Sequence, residues 1–135
     1  YMKKGREYSM KYILVLLTAL LLGGCAAQPT NNASYRQISM EEAVTMMAEE
    51  TDYIILDVRR ADEYASGHIP GAIHVANESI GTAEIPELPD KNQLILVYCR
   101  SGNRSKQAAR KLVALGYTNI VEIGGILDWT GEIEK

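Results

Sequence analysis

The chain has 135 residues, a formal net charge of −3, 47% hydrophobic residues and two cysteines, enough for one domain with a sizeable core. That charge excludes the basic field nucleic acid requires, and two cysteines exclude a disulfide scaffold. There is no CxxC and no grouping of His, Cys and carboxylates at metal-ligand spacing, so neither metal nor cofactor is expected.

In chain order, Lys3, Lys4, Arg6 and Lys11 precede the apolar run Ile13–Leu17, which Thr18–Leu22 extends before Gly23–Gly24–Cys25. A basic start, a short apolar core and a small-residue junction read as a secretory signal peptide over residues 1–24, with Met2 and Met10 as candidate starts. The core falls short of the roughly 20 residues of a membrane span. Leu22–Gly23–Gly24–Cys25 resembles the lipobox of bacterial lipoproteins. That resemblance implies lipidation of Cys25, export, and anchoring of the mature chain to a bacterial membrane on its extracytoplasmic side; a plain export signal or an uncleaved anchor is the alternative. Residues 25–34 are small and polar, a flexible tether, and residues 35–135 form the domain. Without the leader, 10 basic residues stand against 16 acidic ones, a net of −6.

Ser39–Met40–Glu41–Glu42 is a capping box that starts a helix reaching about Glu49. Tyr53–Val58 reads as a buried strand ending near Asp57, and Ala61–Ala65 as a short helix stopped by Ser66–Gly67. His68–Ala72 is a Pro-Gly turn and Ile73–Val75 a short strand. Ala76–Asp90 is loop-like, with one helical turn near Ser79. Leu94–Tyr98 is short, apolar and β-branched enough for a second buried strand. A Ser/Gly/Asn/Arg loop then leads to the helical run Lys106–Leu115, with Ala108, Leu112 and Leu115 on one face and Gly116 as its C-terminal cap. Asn119–Ile123 is a third strand, Gly124–Gly125 a turn, and Ile126–Trp129 a closing helical segment. Strands alternating with helices imply an α/β fold, a central parallel sheet with helices on both faces and a cleft at the carboxyl ends of its strands. Asp57, Cys99 and Gly124 lie at those ends, so their segments are expected to meet there.

Cys99 therefore stands where a strand ends and a loop opens a helix. Backbone N–H groups and the positive helix end favour an anion there and lower a thiol pKa from about 8.5 towards about 3.5–7.5. The expected species is a thiolate nucleophile, with Arg100 and Arg104 as charges for an anionic substrate; the alternative is an inert strand-end cysteine. Gly102 and Asn103 suit positive-φ turns in such a loop. Asp57 reads as structural, binding loop N–H groups or pairing with an arginine, and Arg59 either joins that pair or lines the rim. His68 reads as a hydrogen-bonded turn residue, His74 as a strand residue facing either way, and Trp129 and Tyr117 as packing.

ILDVR, then EYASGHIPGA, VYCRSGNRS and IGGILDW, in that order, resemble a single-domain rhodanese, a sulfurtransferase. The likeness runs from about Ile38 to Trp129 and implies the rhodanese-like α/β fold. It implies that Cys99 carries the transferred sulfur as a persulfide and that Arg100, Ser101, Gly102, Asn103, Arg104 and Ser105 form an anion cradle; Asp57 and Arg59 are read beside it as supporting residues. The implied partners are a small sulfur-containing anion such as thiosulfate, or a persulfide donor, and a thiol or cyanide acceptor; separately, a monomer is expected. Cysteine-dependent phosphatases and arsenate reductases resemble this loop but place five residues between cysteine and arginine. The four here, Arg100–Asn103, make a tighter ring that favours a single sulfur. A non-catalytic rhodanese-like binding module at the cell surface is the other reading, because an oxidising exterior is a poor place to keep a persulfide.

Overall fold

A computed structural model describes residues 34–135; the leader, Cys25 and the tether before residue 34 lie outside the described residues. Five strands form one parallel sheet: β1 (Arg36–Gln37), β2 (Tyr53–Asp57), β3 (Ile73–His74), β4 (Leu94–Cys99) and β5 (Ile120–Gly125). Their order across the sheet is β1-β5-β4-β2-β3, which puts β4 at the centre. Three helices join them: α1 (Met40–Glu49), α2 (Ala61–Ser66) and α3 (Asn103–Ala114).

All six residues of β4 are buried, because a central parallel strand is covered on both faces. Its side chains alternate between the two halves of the core. Ile95, Val97 and Cys99 face α3 with Ala108, Ala109 and Leu112, while Leu94, Leu96 and Tyr98 face α1 with Met40 and Ala43. The strand and its flanking helix thus deliver Cys99 to the α3 side and Tyr98 to the opposite side. Ile80, Ile85 and Leu88 of the long 76–90 connection close the α3-side core, and the Tyr117 hydroxyl donates to the Leu88 carbonyl at 2.6 Å. That loop is irregular apart from a 3-10 turn at Asn77–Ser79, in keeping with the expected single turn.

The local signals act where their chemistry demands. The Ser39 hydroxyl accepts the Glu42 N–H at 3.1 Å, so the capping box starts α1 at Met40 and contributes about 1 kcal/mol. Gly116, at φ +98°, takes the left-handed position beyond α3 that other residues adopt at a cost.

Three boundaries differ from expectation. The helix after the loop begins at Asn103, three residues before Lys106, because Gly102 at φ +106° completes the turn alone. Asn103 is therefore helical, and no described residue other than glycine has a positive φ. Gly124–Gly125 is not a turn but the end of β5, where Gly125 pairs with Cys99 across a register shift. The edge strand β1 has two residues, too few to show a period, and is held by pairing Arg36 with Val121 and Gln37 with Glu122.

Candidate active site

Cys99 is the last residue of β4 and is 1% exposed. The loop after it folds back so that the Gly102 N–H donates to its sulfur at 3.0 Å, while the Ser105 hydroxyl lies 3.4 Å away. Burial pushes the thiol pKa up, but hydrogen bonding with the Ser105 side chain and with the Ser105, Gly102 and Ser101 amides outweighs it, and the net shift is downward. Main-chain amides that stabilise a sulfur anion also stabilise charge developing on a second sulfur bonded to it.

The loop arginines differ in setting. Arg100 is exposed, and its carbonyl accepts the Leu127 N–H at 3.2 Å. Arg104 reaches across to α2 and grips Glu63 with two bonds, 2.7 and 3.1 Å, so an incoming anion meets a guanidinium already paired. That contact, foremost its hydrogen bond, lowers the Glu63 carboxyl pKa to about 2. No local pattern links residues 63 and 104; only the fold brings them together. Ser101 and Asn103 are exposed, Gly102 and Ser105 buried.

The fold divides the trio expected at the cleft. Gly124 is beside the loop, its carbonyl 3.4 Å from the Ser105 hydroxyl. The Asp57 carboxylate instead lies on the far side of the sheet from Cys99, because register pairs Asp57 with Tyr98 and both face away from α3. There it accepts the Tyr98 hydroxyl at 2.7 Å, the Arg59 backbone N–H at 2.9 Å, and the Arg59 guanidinium at 2.7–3.0 Å. Arg59 thus joins the pair and does not line a rim; it is 5% exposed and also donates to the Gly67 carbonyl at 2.7 Å. Burial and the bond to Asp57 raise the Tyr98 pKa, so its hydroxyl stays a donor. Asp57 holds Tyr98, the residue before Cys99. His68 stacks on Tyr64 with its Nδ1 2.9 Å from the Tyr64 carbonyl, and His74 Nε2 is 2.6 Å from the Arg59 carbonyl, so both histidines are occupied in structure.

Gly125 carries the closest approach at the site. A Cβ there would overlap the Arg100 carbonyl and the Ser101 Cα, which are backbone atoms and have no rotamer to retreat to. Gly125→Ala is expected to lower stability by about 1–3 kcal/mol in urea unfolding and to slow alkylation of Cys99 at neutral pH, since the displaced loop takes its amides with it. An alanine variant with unchanged stability and thiol reactivity would contradict this packing.

The family model described as Rhodanese-like domain matches residues 39–132. The chain belongs to this family. Among relatives of the rhodanese-like domain, thiosulfate sulfurtransferase GlpE of Pseudomonas entomophila is 37% identical over 93 residues, covering 69% of this chain and 82% of that protein. The putative sulfur carrier protein YrkF of Bacillus subtilis is 34% identical over 122 residues; the match takes in 88% of this chain but 64% of that protein, just under two thirds of its length. Among solved structures, a rhodanese with anions from E. coli is 32% identical with a TM-score of 0.56, covering 62% of this chain and 98% of that one. The rhodanese-like domain of the Anabaena Alr3790 protein gives a TM-score of 0.65 at 27% identity, covering 73% of this chain and 77% of that one. The fold is therefore rhodanese-like, as the ordered sequence blocks implied.

One buried polar residue at the site has no place in the sequence reading. Glu122 is 1% exposed within β5, and its Oε1 accepts the Ser105 hydroxyl at 2.6 Å and the Gly124 N–H at 2.9 Å. Its signal was a charge inside the apolar strand Ile120–Ile123, where alternation calls for a core side chain.

Proposed function

We propose that this chain is a rhodanese-type sulfurtransferase that moves a sulfane sulfur from thiosulfate or a persulfide donor to a thiol or cyanide through a Cys99 persulfide. The observation that carries the reading is the Cys99 sulfur facing the Gly102 N–H at 3.0 Å, with a thiol pKa held down by loop hydrogen bonds against the effect of burial. Relatives named thiosulfate sulfurtransferase support it at family level.

The chemistry follows from that geometry. The Cys99 thiolate attacks the outer sulfur of thiosulfate; a sulfur–sulfur bond forms, the old one breaks, and sulfite leaves with its electron pair. The persulfide anion stays under the same amides. An acceptor thiolate or cyanide then takes the outer sulfur and returns Cys99 as thiolate, so neither half-reaction needs a proton from a general acid. Arg100, exposed at the loop, supplies long-range attraction for the anionic donor, and Arg104 sets the loop's edge through Glu63. Incubation of the protein with thiosulfate should add one sulfur to Cys99, located by peptide mass spectrometry. The absence of both the persulfide and turnover to cyanide or a thiol would refute the reading.

The lipobox-like Leu22–Cys25 supports a second proposal, that the domain is exported and held at a bacterial membrane by lipid on Cys25. Cys25→Ala should shift the protein from the membrane to the soluble fraction or block processing, and unchanged fractionation rejects lipidation.

A further inference from the structure

We infer that Glu122 is a positioning residue for Cys99, acting through Ser105 so that the thiol ionises by passing its proton within the site instead of to solvent. The inference rests on Cys99 being the reactive thiol but not on which sulfur donor it uses.

Three observations carry it. Glu122 shares the α3-facing side of β5 with Ile120, while Val121 and Ile123 face the other half of the core, so its carboxylate stands where an apolar side chain belongs. It forms none of the ion pairs among the described residues, so no side-chain cation competes with Ser105 for its carboxylate. The Ser105 hydroxyl, 0% exposed, is the one group that touches both ends: 2.6 Å from Glu122 Oε1 and 3.4 Å from Cys99 Sγ. The short bond to the carboxylate claims the hydroxyl proton, which leaves the serine oxygen as acceptor for the thiol.

Ionisation then balances without solvent. The Cys99 S–H bond breaks and its proton joins Ser105 Oγ; the Ser105 hydroxyl proton joins Glu122 Oε1. The thiolate and the neutral carboxyl remain bridged by Ser105, and the site's charge stays at one negative. An anionic sulfur donor thus meets one negative charge in place of two. The other charged groups on elements packed against β5 lie elsewhere: Arg104 of α3 is bound to Glu63, Lys111 of α3 to Asn77, Arg36 of β1 is exposed, and Glu41, Glu42 and Glu49 belong to α1 on the opposite face. Lys106 and Arg110 of α3 make no hydrogen bond to Glu122 among those formed by the described residues.

The test uses the full chain carrying Cys25→Ala, so that Cys99 is the only thiol. Thiolate absorbance is followed from about pH 4 to about pH 9, below tyrosine ionisation. A shared proton predicts two steps separated by more than about one pH unit, flat between them. Glu122→Gln, which keeps the volume and the hydrogen-bonding oxygen, should collapse them to a single step of full amplitude. Ser105→Ala, which keeps the charge and cuts the bridge, should lose the low-pH rise. A single step in the parent chain, two steps in Glu122→Gln, or a Ser105→Ala profile identical to the parent overturns the inference. Because the parent profile decides alone, a variant that fails to fold leaves the question answerable. Thiosulfate labelling of the same parent protein separates the two ideas: two steps without persulfide sinks the sulfur-transfer reading and keeps the relay, and persulfide with one step does the reverse.

Discussion

Serine in place of Cys99 is expected to leave a folded domain that takes up no sulfur and turns over thiosulfate at least about 10³-fold more slowly. The reason is the leaving and entering charge. The loop amides hold the thiol pKa down, whereas a serine hydroxyl in the same place, far less acidic, keeps its proton even beside Ser105 and Glu122 and would need a stronger base such as an imidazole. His68 and His74, the only histidines, are bonded to the carbonyls of Tyr64 and Arg59, so neither is free to serve as that base. The fold should tolerate the change, since serine is close in shape and accepts the same Gly102 N–H. Intact mass after thiosulfate treatment, beside a thermal melt, checks both halves. Added sulfur on the serine variant would mean that another atom carries the transfer.

Asp57→Asn should cost about 3–5 kcal/mol, because it leaves the Arg59 guanidinium buried with no counter-charge. At 4–8 °C per kcal/mol for a domain of this size, the melting temperature should fall by roughly 12 °C or more. The carboxylate is 0% exposed and receives Tyr98, the Arg59 N–H and the Arg59 guanidinium together, so one amide oxygen cannot replace it. Arg59 also ties the network to Gly67, and Tyr98 accepts the Ile69 N–H at 3.1 Å, so the loss loosens the chain after α2 and the strand end that carries Cys99. Stability by urea unfolding is the measurement, and a loss below about 1 kcal/mol would show that the pair is replaceable. Sulfur transfer in whatever fraction remains folded should persist, since the carboxylate faces away from the thiol.

Much of this site could be read from residue order. LILVYC followed by RSGNRS says strand, then loop, then helix, because apolar β-branched residues give way to glycine and polar residues and then to a 3.6-residue period. That placed Cys99 and its loop, and the capping box placed α1. Helix boundaries were less legible: Asn103 joined α3 because Gly102 turned the chain alone. Arg104 shows a different shortfall, since its pairing with Glu63 spans 41 positions and leaves no trace in either neighbourhood.

The sequence by itself determined that Leu94–Tyr98 is a buried strand, that a lone cysteine ends it, and that the loop beyond can offer its amides to an anion. These are local properties, set by side-chain volume, branching and the freedom of one glycine. Only the tertiary structure decided which side of the sheet each strand-end residue faces. Register against a neighbouring strand sent Asp57 to Tyr98 and away from the thiol, while β5 brought Glu122 under Ser105. Pairing between distant strands fixes such faces, and a shift of one residue would exchange them.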